Sequence, residues 1–200
     1  MFDSALRPLI DPPLNSMGRA LARRGISANA LTLTGLLLGL GAGVALAGRA
    51  WSIALALILL NRLCDGLDGA VARVRGKTDF GGYLDIFADY VFYAAVPVGF
   101  AVADPANALP AAVLLASFLF SGSSFLGYAV IAERRRLVST AQGEKTFYYM
   151  AGIAEGTETI AVFVLAALRP DWFVPLALGY ALACVITGFA RLALGWRQFR

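Results

Sequence analysis

Residues 61–90 read NRLCDGLDGAVARVRGKTDFGGYLDIFADY, and their five aspartates lie between two of the most apolar stretches of the chain. On a helix, Asp65, Asp68, Gly69 and Ala72 follow i, i+3, i+4, i+7 spacing and share one face. Gly81, Asp85 and Asp89, at i, i+4 and i+8, share another. Two adjacent antiparallel helices carrying these faces bring four carboxylates together about two turns inside the apolar layer. Charges so placed repel one another unless a cation compensates them. An all-oxygen cluster without His or Cys favours a hard ion, Mg²⁺ or Mn²⁺. Four carboxylates can bridge two such ions, an arrangement suited to moving a phosphoryl group between oxygens. Arg73, one turn away, is able to hold a phosphate bidentately. The small residues Gly69, Ala72 and Gly81 leave room for a bulky group to approach the helices.

The rest of the chain supplies the surroundings. It has 200 residues, 59% hydrophobic and 15% charged, with mean hydropathy +0.71, a balance that points to a membrane protein. Seventeen basic against 13 acidic residues give +4 at pH 7 and a pI near 9.3. In so apolar a chain this excess reads as contact with anionic lipid and asymmetric loops, not as affinity for nucleic acid. The two cysteines, Cys64 and Cys184, each sit inside an apolar segment and read as packing residues, not as a disulfide or a zinc site. The absence of histidine excludes Ser-His and Cys-His catalysis and His-ligated haem or zinc, so polar chemistry falls to carboxylates.

Six stretches of about 20 residues are long and apolar enough to span a bilayer as helices. They run over Ala28–Ala47, Trp51–Ala72, Phe80–Ala103, Leu109–Ala132, Phe147–Leu168 and Trp172–Ala193. The predicted architecture is all-α and integral to the membrane, a single domain over residues 1–200 with a six-helix core at 28–193. An interfacial amphipathic helix over about residues 12–25, opened by Pro12 and Pro13, precedes the core; Leu14, Met17 and Leu21 share its apolar face. With the N-terminus cytoplasmic, fifteen of the 17 basic residues fall on one side and only Arg49 and Arg169 on the other. The positive-inside rule then places both termini and the aspartate motif at the cytoplasmic face. Trp51 and Trp172 are expected at the opposite interface. Gly35, Gly39 and Gly43 repeat every four residues in the first span, which favours close helix packing.

Asp65-x2-Asp68-Gly69-x2-Ala72-Arg73-x7-Gly81-x3-Asp85-x3-Asp89 resembles the signature of the CDP-alcohol phosphotransferases (CDP-alcohol phosphatidyltransferases), with all eight fixed residues present. The likeness extends to the six-span layout, the interfacial helix, and Asn29-x-Leu31-Thr32, which is similar to the family's first-span motif without its customary proline. After Glu133 the pattern is similar to a bacterial inner-membrane branch. The resemblance implies transfer of a substituted phosphate from a CDP-linked lipid, usually CDP-diacylglycerol, to the hydroxyl of a small polar alcohol, releasing CMP. It implies that Asp65, Asp68 and Asp85 are metal ligands, and that Asp89 is a ligand that also accepts the alcohol proton. Asp68, Gly69, Ala72, Arg73 and Gly81 would then form the CDP pocket. A homodimer in the bacterial inner membrane is expected on the same basis.

Glu155 and Glu158 in the fifth span, at a depth similar to Asp89, are candidates to face the same cavity and bind the acceptor, together with Lys145 and Arg191. Two other readings fit parts of the chain. A divalent-cation transporter would explain the aspartates alone, but the chain lacks an inverted repeat and polar groups continuing to the far side. A noncatalytic CDP-lipid-binding protein would keep the fold, but intact Asp89 argues against it.

Overall fold

The computed structural model describes residues 3–135 and 153–200, with side chains from residue 10 onward. Among the described residues every regular element is helical: α1 (Asp3–Arg23), α2 (Ala28–Ala47), α3 (Trp51–Arg75), α4 (Asp79–Ala103), α5 (Ala108–Arg134), α6 (Gly156–Leu168) and α7 (Phe173–Phe199). Single 3₁₀ turns, each opened by a proline, lead into α5 and α7. By length and composition α2, α4, α5 and α7 are able to cross a membrane. The 25 residues of α3 are long enough but include Arg62, Asp65, Asp68, Arg73 and Arg75.

Two boundaries depart from expectation. Helix α1 begins well before Pro12, and Pro12 and Pro13 lie inside it. A proline removes one backbone donor and crowds the preceding turn; here the helix continues through both. Of its expected apolar face, Leu14 packs at Gly66 of α3 while Met17 is exposed; next to it, Gly18 lies directly against Ala70. Helix α6 starts at Gly156 instead of Phe147, with residues 147–152 outside the described residues. Glu155 is extended, and the amides of Ile153 and Ala154 donate to Thr187 Oγ1 of α7 at 3.1 and 3.0 Å. A side-chain hydroxyl thus takes donors that a longer helix would direct to its own carbonyls. The 13 residues of α6 measure about 20 Å, short of a hydrocarbon core of about 30 Å.

Helix α2 is the post of the assembly: α3 and α4 pack on it more extensively than on each other. The expected pair of adjacent motif helices is therefore a trio, with α2 behind both. The glycine repeat makes this possible. Gly35 lies against Cys64 and Asn61 of α3, Gly39 against Phe92 of α4, and Gly43 against the Ala95 backbone of α4. A Cβ at Gly43 would fall 2.7 Å from Ala95 O, and one at Gly99 would fall 2.5 Å from Gly43 O. Such close backbone approach supplies the dispersion contacts that hold helices together where hydrocarbon replaces water.

Helix α1 rests on α3, α5 pairs with α7, and α6 contacts α3 and α7. A buried cluster drawn from α2 to α7 fills the centre, with Phe92, Phe100 and Phe163 sealed from the surface. Trp51, expected at an interface, stacks on Phe100 at 5.8 Å, whereas Trp172 is exposed. Arg49 donates to Ala103 O through Nε and Nη2 at 3.0 and 2.6 Å, tying the α2–α3 turn to the end of α4. Cys64 and Cys184 are both free thiols.

Candidate active site

The α3–α4 connection is short. Gly76 takes φ 99°, a backbone conformation that favours glycine, and Thr78 caps α4 by accepting from the Gly81 amide at 3.0 Å. This turn sets the chain antiparallel at once, so that Asp65 and Asp68 on α3 face Asp85 and Asp89 on α4. All four carboxylates line one cleft, floored by Thr32, Gly35 and Leu36 of α2.

Each carboxylate has its own surroundings. Asp68 is buried and accepts from Thr32 Oγ1 through Oδ2 at 2.6 Å. Asp65 and Asp89 are bridged by Arg62: Nη1 lies 3.5 Å from Asp65 Oδ2 and Nη2 lies 3.0 Å from Asp89 Oδ1. Arg62 also donates through Nε to Asn61 Oδ1 at 2.7 Å, and Asn61 in turn donates through Nδ2 to Gly35 O at 2.7 Å. The Phe92 ring lies under the guanidinium, 4.6 Å from its centroid.

The donor set fits a hard divalent ion: four carboxylates on two facing helices around one cleft, with no histidine or cysteine lining it among the described residues. The side chains as placed do not close a cage. Among the described residues no three acidic, histidine or cysteine side chains are grouped to hold an ion. The Arg62 guanidinium stands between Asp65 and Asp89 instead.

Arg73, Gly69, Gly81 and Ala72 are not among the residues that line this cleft. Arg73 donates to Asn15 Oδ1 of α1 through Nε at 3.2 Å and Nη2 at 2.8 Å. At Gly69 a Cβ would meet only Arg73 Nη1, at 3.5 Å, so that face is open; at Gly81 it would meet Thr78 Oγ1 and Asn29 Oδ1 at 3.0 and 3.2 Å. Ala72 is half-buried one turn beyond Asp68.

Glu155, Glu158 and Arg191 form part of a second polar region among α5, α6 and α7, not part of the aspartate cleft. Because α6 starts late, Glu155 stands at its N-terminus, within electrostatic reach of Arg191. Arg191 donates through Nη1 to Ser121 Oγ at 3.2 Å and lies over the Phe125 ring. Its Nε is buried without a hydrogen-bond partner among the described residues. Lys145 lies outside the described residues.

Sequence reasoning assigned no site role to Thr32, Asn61 or Arg62. Thr32 had a signal, since it closes Asn29-x-Leu31-Thr32. Asn61 and Arg62 are consecutive polar residues inside an apolar run, and Arg62 precedes Asp65 by one helical turn.

An all-helical bundle with this eight-residue motif split across α3 and α4 belongs to the CDP-alcohol phosphatidyltransferase family, whose profile matches residues 26–187. The chain is 46% identical to inner membrane protein YnjF of Escherichia coli (strain K12) over 197 residues, covering 98% of this chain and 96% of that one. It is 36% identical over 100 residues to the archaetidylinositol phosphate synthase of Pyrococcus horikoshii, covering 50% and 53% of the two chains. The fold is shared with phosphatidylinositol phosphate synthase of Mycobacterium tuberculosis. The structure in complex with manganese and citrate superposes with TM-score 0.71 at 22% identity, covering 92% of this chain and 88% of that one. The structure with CDP-DAG bound gives TM-score 0.70 at 21% identity, covering 92% and 93%.

Proposed function

We propose that the protein transfers a phosphatidyl group from a CDP-linked lipid, with CDP-diacylglycerol as the expected donor, to the hydroxyl of a small polar alcohol, releasing CMP in phospholipid biosynthesis. The observation that carries this reading is the convergence of Asp65, Asp68, Asp85 and Asp89 on one cleft between α3 and α4. Manganese and CDP-DAG in the Mycobacterium tuberculosis structures support the same chemistry here.

In this reading α2–α7 are six membrane spans of one domain and α1 lies along the cytoplasmic interface. Both termini and the cleft mouth face the cytoplasm of a cell with the protein in its inner membrane, and the protein works as a homodimer. The 15-to-2 partition of basic residues and the inner-membrane relative support that orientation and location. A lipid-linked donor then enters from the bilayer, while the alcohol and CMP exchange with water at the same boundary.

Asp65, Asp68, Asp85 and Asp89 would hold Mg²⁺ or Mn²⁺, two ions in all, which when bound neutralise the donor pyrophosphate and make its phosphorus more electrophilic. Thr32 keeps Asp68 oriented by its hydrogen bond. Gly69, Ala72 and Gly81 keep the helix surfaces low where the CDP group lies, and Arg73, steadied by Asn15, faces its phosphates. With no histidine in the chain, Asp89 takes the alcohol proton as the new O–P bond forms and the anhydride bond to CMP breaks. The Nε of Arg191, buried without a hydrogen-bond partner among the described residues, is suited to an acceptor oxygen. From the neighbouring polar region Arg191, with Glu155, Glu158 and Lys145, would contact the end of the acceptor remote from its reacting hydroxyl.

The test is to incubate purified protein with CDP-diacylglycerol and a panel of alcohols, namely glycerol 3-phosphate, inositol phosphate, serine and amino alcohols. CMP is then followed, and the lipid product identified by mass spectrometry. A new phospholipid with one acceptor is expected, with activity abolished by chelator and restored by Mg²⁺ or Mn²⁺. No CMP release with any acceptor, or full turnover in chelator, overturns the reading.

A further inference from the structure

Arg62 is a charge within α3 that the structure packs among polar and aromatic partners. Its guanidinium meets Asp89 and Asp65 on one edge, Asn61 through Nε, and the Phe92 ring on one face. Asn61 is itself buried, and both ends of its amide are used, accepting from Arg62 and donating to Gly35 O. A Cβ at Gly39 would fall 3.2 Å from Asn61 Nδ2, so the missing side chain there leaves Asn61 room against α2. A guanidinium does not give up its charge, and burying it is costly unless it is paired. An arginine present only for topology would extend toward water, as long cationic side chains do; this one is held in the cleft with 17% of its side chain exposed.

We infer that Arg62 is a resident counter-cation that competes with divalent metal for the Asp65 and Asp89 carboxylates, and so sets how weakly the cleft binds metal before the CDP donor arrives. This rests on the aspartates being metal ligands, as proposed above. Four carboxylates and one guanidinium leave three negative charges in the cleft. Two divalent ions then exceed them by one charge, which the pyrophosphate of a CDP donor offsets. The guanidinium thus penalises full metal loading of the empty cleft and relaxes that penalty once donor is bound. It is a positioning residue: it acts on the ligands, not on the reacting atoms.

The experiment measures Mn²⁺ affinity of the purified full chain, without any CDP compound, by the paramagnetic resonance signal of free Mn²⁺. Arg62→Gln and Arg62→Lys are compared with wild type. A fixed charge a few ångströms from a divalent site shifts affinity by at least about tenfold even under strong dielectric screening, so Arg62→Gln is expected to bind Mn²⁺ at least about tenfold more tightly. Arg62→Lys keeps the charge and is expected to stay within about threefold of wild type. Equal or weaker Mn²⁺ binding by Arg62→Gln overturns the proposal, as does a lysine variant that behaves like the glutamine one. Absence of Mn²⁺ binding by both wild type and Arg62→Gln overturns the metal reading itself, a distinguishable result. Thermal unfolding with and without Mn²⁺ covers a variant that is unstable in metal-free buffer. Folding restored by Mn²⁺ supports competition, and failure to fold in either condition overturns it.

Discussion

Removing the Thr32 hydroxyl tests how the cleft is organised from behind. Thr32 donates to Asp68 Oδ2 at 2.6 Å, both residues are buried, and the same hydroxyl lies 3.1 Å from Ala28 O within its own helix. Thr32→Val keeps the shape and the γ-methyl but leaves that carboxylate oxygen without its donor. A buried hydrogen bond to a charged group is worth about 1.5–3 kcal/mol, and leaving its partner unsatisfied costs a similar amount. If Asp68 must hold its orientation through the transition state, the whole of this loss enters the barrier, and each 1.36 kcal/mol is about tenfold in rate. The expected fall in kcat/KM is therefore about 10- to 150-fold, read from CMP release with CDP-diacylglycerol at sub-saturating Mn²⁺. Thr32→Ser retains the donor and is expected within about threefold of wild type. A valine variant within twofold of wild type would refute the idea that α2 orients the motif through this bond.

Asp89→Asn keeps the shape and one ligand oxygen while removing the basic site. Its kcat is expected to fall at least about 100-fold, with CDP-diacylglycerol binding in Mg²⁺ held within about tenfold; retention of more than about a tenth of the rate would refute Asp89 as the general base. At the α2–α4 crossing, Gly99→Ala places a Cβ 2.5 Å from Gly43 O and 2.8 Å from Leu46 Cβ. The helices must separate to admit it, at a cost of about 1–3 kcal/mol, so thermal unfolding in detergent should occur at lower temperature; an unchanged midpoint would show that the crossing adapts freely.

Hydrophobic period and length, read from the chain alone, located α2 to its terminal residues and α4, α5 and α7 to within one or a few residues at most ends. These are local properties: a helix of 20 apolar residues satisfies its backbone internally whatever its neighbours are. The eight-residue motif was equally legible, because i, i+4 spacing fixes which side chains share a helix face before any tertiary contact forms. The start of α6 was not legible, since it depends on Thr187, more than thirty residues away, capturing the amides of Ile153 and Ala154. Nor was the position of α2 behind both motif helices, although the glycines that allow it were. A glycine in a sequence announces room for an approach but not which helix will use it. Arg62 shows the difference at the site itself. As a residue it is a positive charge in an apolar run, compatible with topology, a surface pair or chemistry. Only the packing of α3 and α4 on α2, which brings Asp89, Asn61 and Phe92 around one guanidinium, decides that its charge is spent inside the cleft.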